Sequence, residues 1–76
     1  MPLYDVPIVR RDLLDLWHEF WEGPEPTERA SQANADGSLD RAVKIRAANA
    51  TQAASIAERD NPGDVAIRDY VRKLWQ

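Results

Sequence analysis

Leu13-Leu14-Asp15-Leu16-Trp17-His18-Glu19-Phe20-Trp21 holds two of the chain's three tryptophans, its one phenylalanine and its one histidine. No other window joins so much apolar area to so much ionisable chemistry. Apolar residues recur at Val9, Leu13, Leu16, Trp17 and Phe20, three and four apart, which is the period of a helix. Leu14 and Trp21 lie to one side and widen the stripe beyond a single core-facing seam. Asp5 suits a cap, and Pro7 suits a first turn, where its missing N–H has no intrahelical partner anyway. Gly23-Pro24 is a strong stop. The spacing predicts a first helix over about 6–22, after an extended lead-in whose Leu3 and Tyr4 can dock on the core.

Outward from that helix, residues 23–37 contain no large apolar side chain. They read as a loop or a weak helix at about 27–34, capped by Thr27, with only alanines to bury. Ser38 or Asp36 then caps a second helix over about 38–60. Its large apolar residues are Leu39, Val43, Ile45 and Ile56, and the rest of its buried side is alanine. Alanine favours helix and admits close approach of bulky partners, here the tryptophans of the first helix. Asn61-Pro62 reads as a cap and first helical residue. Ile67, Tyr70, Val71, Leu74 and Trp75 then form one face of a third helix over about 62–75. With no alternating strand pattern and no internal repeat, the expected fold is all-α. It is one small bundle of three helices, or four with the short one, and no β-sheet.

Seventy-six residues make one domain at most, and a chain this short buries little surface. Without cysteine it has neither disulfides nor thiolate metal sites, so good packing, self-association or a partner must supply the stability. The net charge is −3, unevenly placed: residues 1–25 carry two arginines against six carboxylates, and residues 26–76 carry eight Lys/Arg against seven Asp/Glu. Met1-Pro2-Leu3-Tyr4-Asp5 lacks a basic segment followed by an apolar run, so no secretion signal is expected. No apolar stretch approaches the roughly 20 residues that span a bilayer. A cytoplasmic location is the expectation.

Asp15, His18, Glu19 and Glu22 share one helical face at i, i+3, i+4 and i+7. Asp15-x-x-His18 has the spacing of carboxylate–histidine metal pairs, but a di-metal site needs a second such pair, and this chain has one histidine. A solvated or partner-binding face is the stronger reading, and no metal or cofactor is expected. Asn34-Ala35-Asp36-Gly37-Ser38-Leu39-Asp40 has alternate oxygen ligands like part of a calcium loop. The closing glutamate is missing, so the segment reads as a turn. There is no phosphate loop and no nucleophile motif, so no enzyme is expected.

Three tryptophans are too many for so small a helical core, and an exposed aromatic marks a binding surface. The first expectation is therefore a protein-binding helical module (an adaptor, inhibitor or assembly subunit with a regulatory role), acting as a homodimer or in a hetero-complex through Leu14, Trp17, Phe20, Trp21 and Trp75. The second is a DNA-binding regulator or packaging component. It would use Arg41, Lys44 and Arg46 of the second helix and Arg68, Arg72 and Lys73 of the third, although Asp40, Glu58, Asp64 and Asp69 interrupt that patch. The carboxylate–histidine metal site is the third. No membrane role is expected.

Overall fold

The computed structural model describes residues 1–75 and overturns the all-α expectation. The chain is α+β, with a four-stranded antiparallel sheet and three helices. Strand β1 (Leu3–Arg10) leads through a 3-10 turn at Arg11–Leu13 into helix α1 (Leu14–Glu22). Helix α2 (Glu28–Ala35), strand β2 (Arg41–Arg46), helix α3 (Ala50–Asp60) and strand β3 (Asp64–Ala66) follow. A second 3-10 turn at Arg68–Tyr70 precedes strand β4 (Arg72–Trp75). A helical bundle is therefore not what this chain forms. The helix expected over 6–22 is a helix only from Leu14; the one over 38–60 is a strand and then a helix; the one over 62–75 is two short strands and a turn.

The physical reason starts at β1. Tyr4, Val6 and Ile8 alternate with Leu3, Asp5 and Pro7, and the alternation places the first three in a buried cluster with Ala47, Ala53, Ala54, Ala57 and Ala66. Branched Val6, Ile8 and Val9 favour the extended chain. Proline in a central strand ordinarily argues against the strand, because it cannot donate to the ladder. Here β1 has β2 along one edge, while its other edge is shared by β4 at Leu3–Asp5 and β3 at Ile8–Arg10. Pro7 falls in the gap between those two short partners. Only its carbonyl is used, accepting from the Ile67 N–H at 2.9 Å.

Helix α3 lies across one face of this sheet. Its fully buried Ala53, Ala54 and Ala57 are the contact, so the alanine-rich helix packs on the strands and not on the tryptophans. Asn49 caps it by accepting from the Gln52 N–H at 2.8 Å, while Gln52 Oε1 accepts from the Ala48 N–H. Asn49→Ala is expected to cost about 1 kcal/mol, read as a lowered urea midpoint with unchanged slope. After α3, Asn61-Pro62-Gly63-Asp64 is a type II turn: the Asp64 N–H donates to the Asn61 carbonyl, and Gly63 has a φ of +91°. Pro62 suits both a helix start and the second position of such a turn. The left-handed glycine behind it decides for the turn.

Helices α1 and α2 form a hairpin at the other end of β1. Val9, whose side chain points away from α3, packs with Leu16, Trp17, Ala30, Leu39 and Ile67 in a second core. Thr27 caps α2 by accepting from the Ala30 N–H. The helix closes on Gly37, φ +80°, with the Gly37 N–H donating to the Asn34 carbonyl and the Ser38 N–H to the Ala33 carbonyl. This pair of bonds is a Schellman closure, so the calcium-like segment is a helix end. The hydroxyl and amide of Ser38 both donate to Asp36 and hold its carboxyl below the usual range. No described helix is long and apolar enough to cross a membrane.

Candidate functional site: the open face of the sheet

The face of the sheet turned away from α3 is only partly covered. Register places its side chains in rows. In the first row, Arg46 of β2, Leu3 of β1 and Trp75 of β4 stand side by side. The Arg46 guanidinium reaches across to lie 4.9 Å from the centre of the Trp75 ring. In the second row, Lys44, Asp5 and Arg72 align, with Arg72 Nη2 3.6 Å from Asp5 Oδ2. Ala42 and Pro7 form the third. Beyond them the helical hairpin closes the face as a wall. There Trp17, 1% exposed, donates from Nε1 to Asp40 Oδ2 at 2.8 Å.

Lys44, Arg46 and Arg72 are exposed, and Asp5 is the one carboxylate set among them. Trp75 is 55% exposed at one end of the face. Tyr70, 47% exposed, leans on Trp17 at the other, ring centres 5.2 Å apart. The surface is thus cationic and aromatic in a protein whose net charge is negative. An exposed guanidinium over an indole is a weak contact, worth about 0.5–1 kcal/mol, so a ligand can displace or extend it. The arrangement offers cations on the two strands that flank β1, about two strand spacings apart across the sheet, with two flat rings at its ends.

The residues named from sequence separate into groups. Lys44 and Arg72 come together on the open face, joined by Arg46. Arg41 faces the α3 side, where it donates to Asn61 and Asp64 at 2.9 and 3.0 Å. Arg68 is bound to Glu58 at 2.9 Å, whose other oxygen accepts from the Ala66 N–H. Lys73 pairs in register with Tyr4 and so projects on the α3 side. Of the aromatic set, Trp17 is the centre of the second core, and Leu14 and Phe20 are half-buried against it. Trp21 is 52% exposed. Trp75 lies on the sheet, away from α1. Leu3 and Asp5 join the site only through the strand, and their alternation with Tyr4 and Val6 was the signal that could have found them.

The helical face of Asp15, His18, Glu19 and Glu22 assembles no more than a His18–Glu22 pair. Among the described residues no three such side chains are placed to hold a metal ion. A concavity of about 330 Å³ beneath α1 is lined by that pair and by Glu58 and Arg68, which also satisfy each other. No known family, curated protein or solved structure matches this chain.

Proposed function

We propose that the protein binds single-stranded nucleic acid on the open face of its sheet. The observation that carries this reading is the juxtaposition of Lys44, Arg46 and Arg72 with Leu3 and Trp75 on one uncovered surface. Phosphates meet the cations, and a base stacks at Trp75, on the indole or on the guanidinium above it. A single strand suits a flat face better than a duplex does, since a broad sheet face does not fit into a groove, while unstacked bases can lie on it. The overall charge of −3 opposes long-range attraction. Within the roughly 8 Å screening length at physiological salt, however, the local cations dominate over Asp5.

Titration with oligo(dT) and oligo(U) at low salt tests this. Binding is expected to quench tryptophan fluorescence, and log K is expected to fall against log salt with a slope of about −2, for three phosphates on a single strand. Trp75→Ala is expected to weaken binding about tenfold, the effect of losing one stacked base. Lys44→Glu is expected to abolish it. Arg59→Glu makes the same charge change on exposed α3, beside Asp60, and is expected to have little effect. Equal losses for both charge reversals, or equal binding of poly-glutamate, would overturn the assignment.

A second reading rests on a separate observation. Trp21 stands exposed against Phe20, ring centres 5.1 Å apart, on a hairpin bearing Glu19, Glu22 and Glu25. That patch has the chemistry to dock a basic protein segment through its aromatic centre. It predicts that a purified partner's affinity collapses on Trp21→Ala and survives Trp75→Ala.

A further inference from the structure

Strand β2 has one paired edge and one bare edge. Which residues face outward follows from backbone parity. The Ala47 N–H donates to the Pro2 carbonyl at 3.1 Å, so the odd-numbered residues of β2 aim their backbone groups at β1. Ala42, Lys44 and Arg46 aim theirs away from it. No backbone or side-chain group among the described residues bonds their outward amides. On β1 the parity agrees: the carbonyl of Pro7 and the amide of Arg11 serve the opposite edge.

We propose that a second copy of this chain pairs with that edge, β2 antiparallel to β2, about a two-fold axis at Val43. An antiparallel partner must match outward residues with outward residues, which leaves few registers. A register with Lys44 on the axis sets Lys44 opposite Lys44, and like charges directly opposite are destabilising. A register centred on Ile45 sets Lys44 opposite Arg46. One centred on Ala42 is free of like-charge clashes but pairs only a short stretch. Centring on Val43 pairs the most strand without a like-charge clash. Ala42 and Lys44 of the second copy then exchange backbone hydrogen bonds with Lys44 and Ala42 of the first. Arg46 comes opposite the second copy's Asp40, and half-buried Val43 is covered by its own equivalent.

Charged residues on edge strands commonly serve to prevent such pairing. Here the same charges reject the equally long register centred on Lys44 and permit this one, so they select a register. The two-fold axis stands perpendicular to the sheet. Both α3 helices therefore stay on one side, and both open faces merge on the other. Resting on the nucleic-acid reading above, that merger gives one continuous platform with twice the cations.

Sedimentation equilibrium without nucleic acid tests the pairing independently of ligand binding. Wild-type protein is expected to form a dimer at high micromolar concentration. Ala42→Pro removes an outward N–H and no bond to β1, and is expected to give a folded monomer by circular dichroism. Val43→Lys and Val43→Glu are each expected to be monomeric and to form a heterodimer when mixed, which shows that both remain folded. A wild-type monomer at that concentration overturns the proposal, as does a dimer indifferent to these variants. If the dimer forms but binds no oligonucleotide, the pairing stands and the ligand assignment falls. If both hold, a longer oligonucleotide is expected to show a salt slope of about −4 on the dimer.

Discussion

Trp17→Ala is expected to lower stability by about 3–5 kcal/mol, the usual cost of emptying a buried tryptophan site. A chain of this length has about 4–11 kcal/mol in total, so the variant stands at the edge of unfolding. Trp17 fills the second core between Val9, Leu16, Ala30, Leu39 and Ile67, and Tyr70 and His18 lean on its ring. Little else could collapse into the void, since Ala30 opposite is itself small. Truncation also leaves Asp40 without its indole donor. Trp17→Phe separates the two contributions: it restores most of the volume but not the N–H. It should cost less, in the range of about 1.5–3 kcal/mol for a lost hydrogen bond to a charged group, and less again because Asp40 is half-exposed. Urea melts followed by circular dichroism would read both. A Trp17→Ala midpoint within error of wild type is incompatible with the core described here.

Ala54→Leu is expected to destabilise the protein by about 1–3 kcal/mol, although leucine is also a strong helix former. The cause is room. Ala53, Ala54 and Ala57 are fully buried against Tyr4, Val6 and Ile8, so α3 rests on the sheet at the distance alanine allows. An added isobutyl group must lift the helix or force β1 aside. Ser55→Leu, one residue along on the exposed face, is the control and should lie within about 0.5 kcal/mol of wild type. If both changes were neutral, α3 would not be seated on the sheet through its alanines.

These two expectations locate what could and could not be read from the chain. The helical period around Trp17 is real, but it begins at Leu14. Val9 and Leu13, which seemed to extend it, belong to a strand end and a 3-10 turn. The alternation of Tyr4, Val6 and Ile8 was present but went unread, because Pro7 suits a first helical turn and its harmless place between two short partner strands is a tertiary fact with no local signature. Arg41–Arg46 alternates too, with Val43 and Ile45 on one side, yet it abuts an alanine-rich helix and merges with it on helical propensity alone. The site suffered likewise. Lys44, Arg72 and Trp75 were legible as residues of consequence, but helical wheels scatter what a sheet aligns. Trp17 and Trp75, grouped by residue type, lie in unrelated environments.

The position of β1 also shapes how the chain acquires its fold. Every partner of the first strand comes later in sequence, and β4, which pairs with Leu3–Asp5, is the last. During synthesis, Tyr4, Val6 and Ile8 are made before these partners and have nothing to pair with until β2 and α3 have emerged. The sheet closes only once β4 has been made. Its pairings, such as Leu3 with Trp75, join residues far apart in sequence, which favours slow folding over progressive growth of structure. Until then the apolar strand is exposed to chaperones and to other nascent copies. Asp5 and Pro7, set between its apolar residues, are well placed to keep that interval from ending in aggregation.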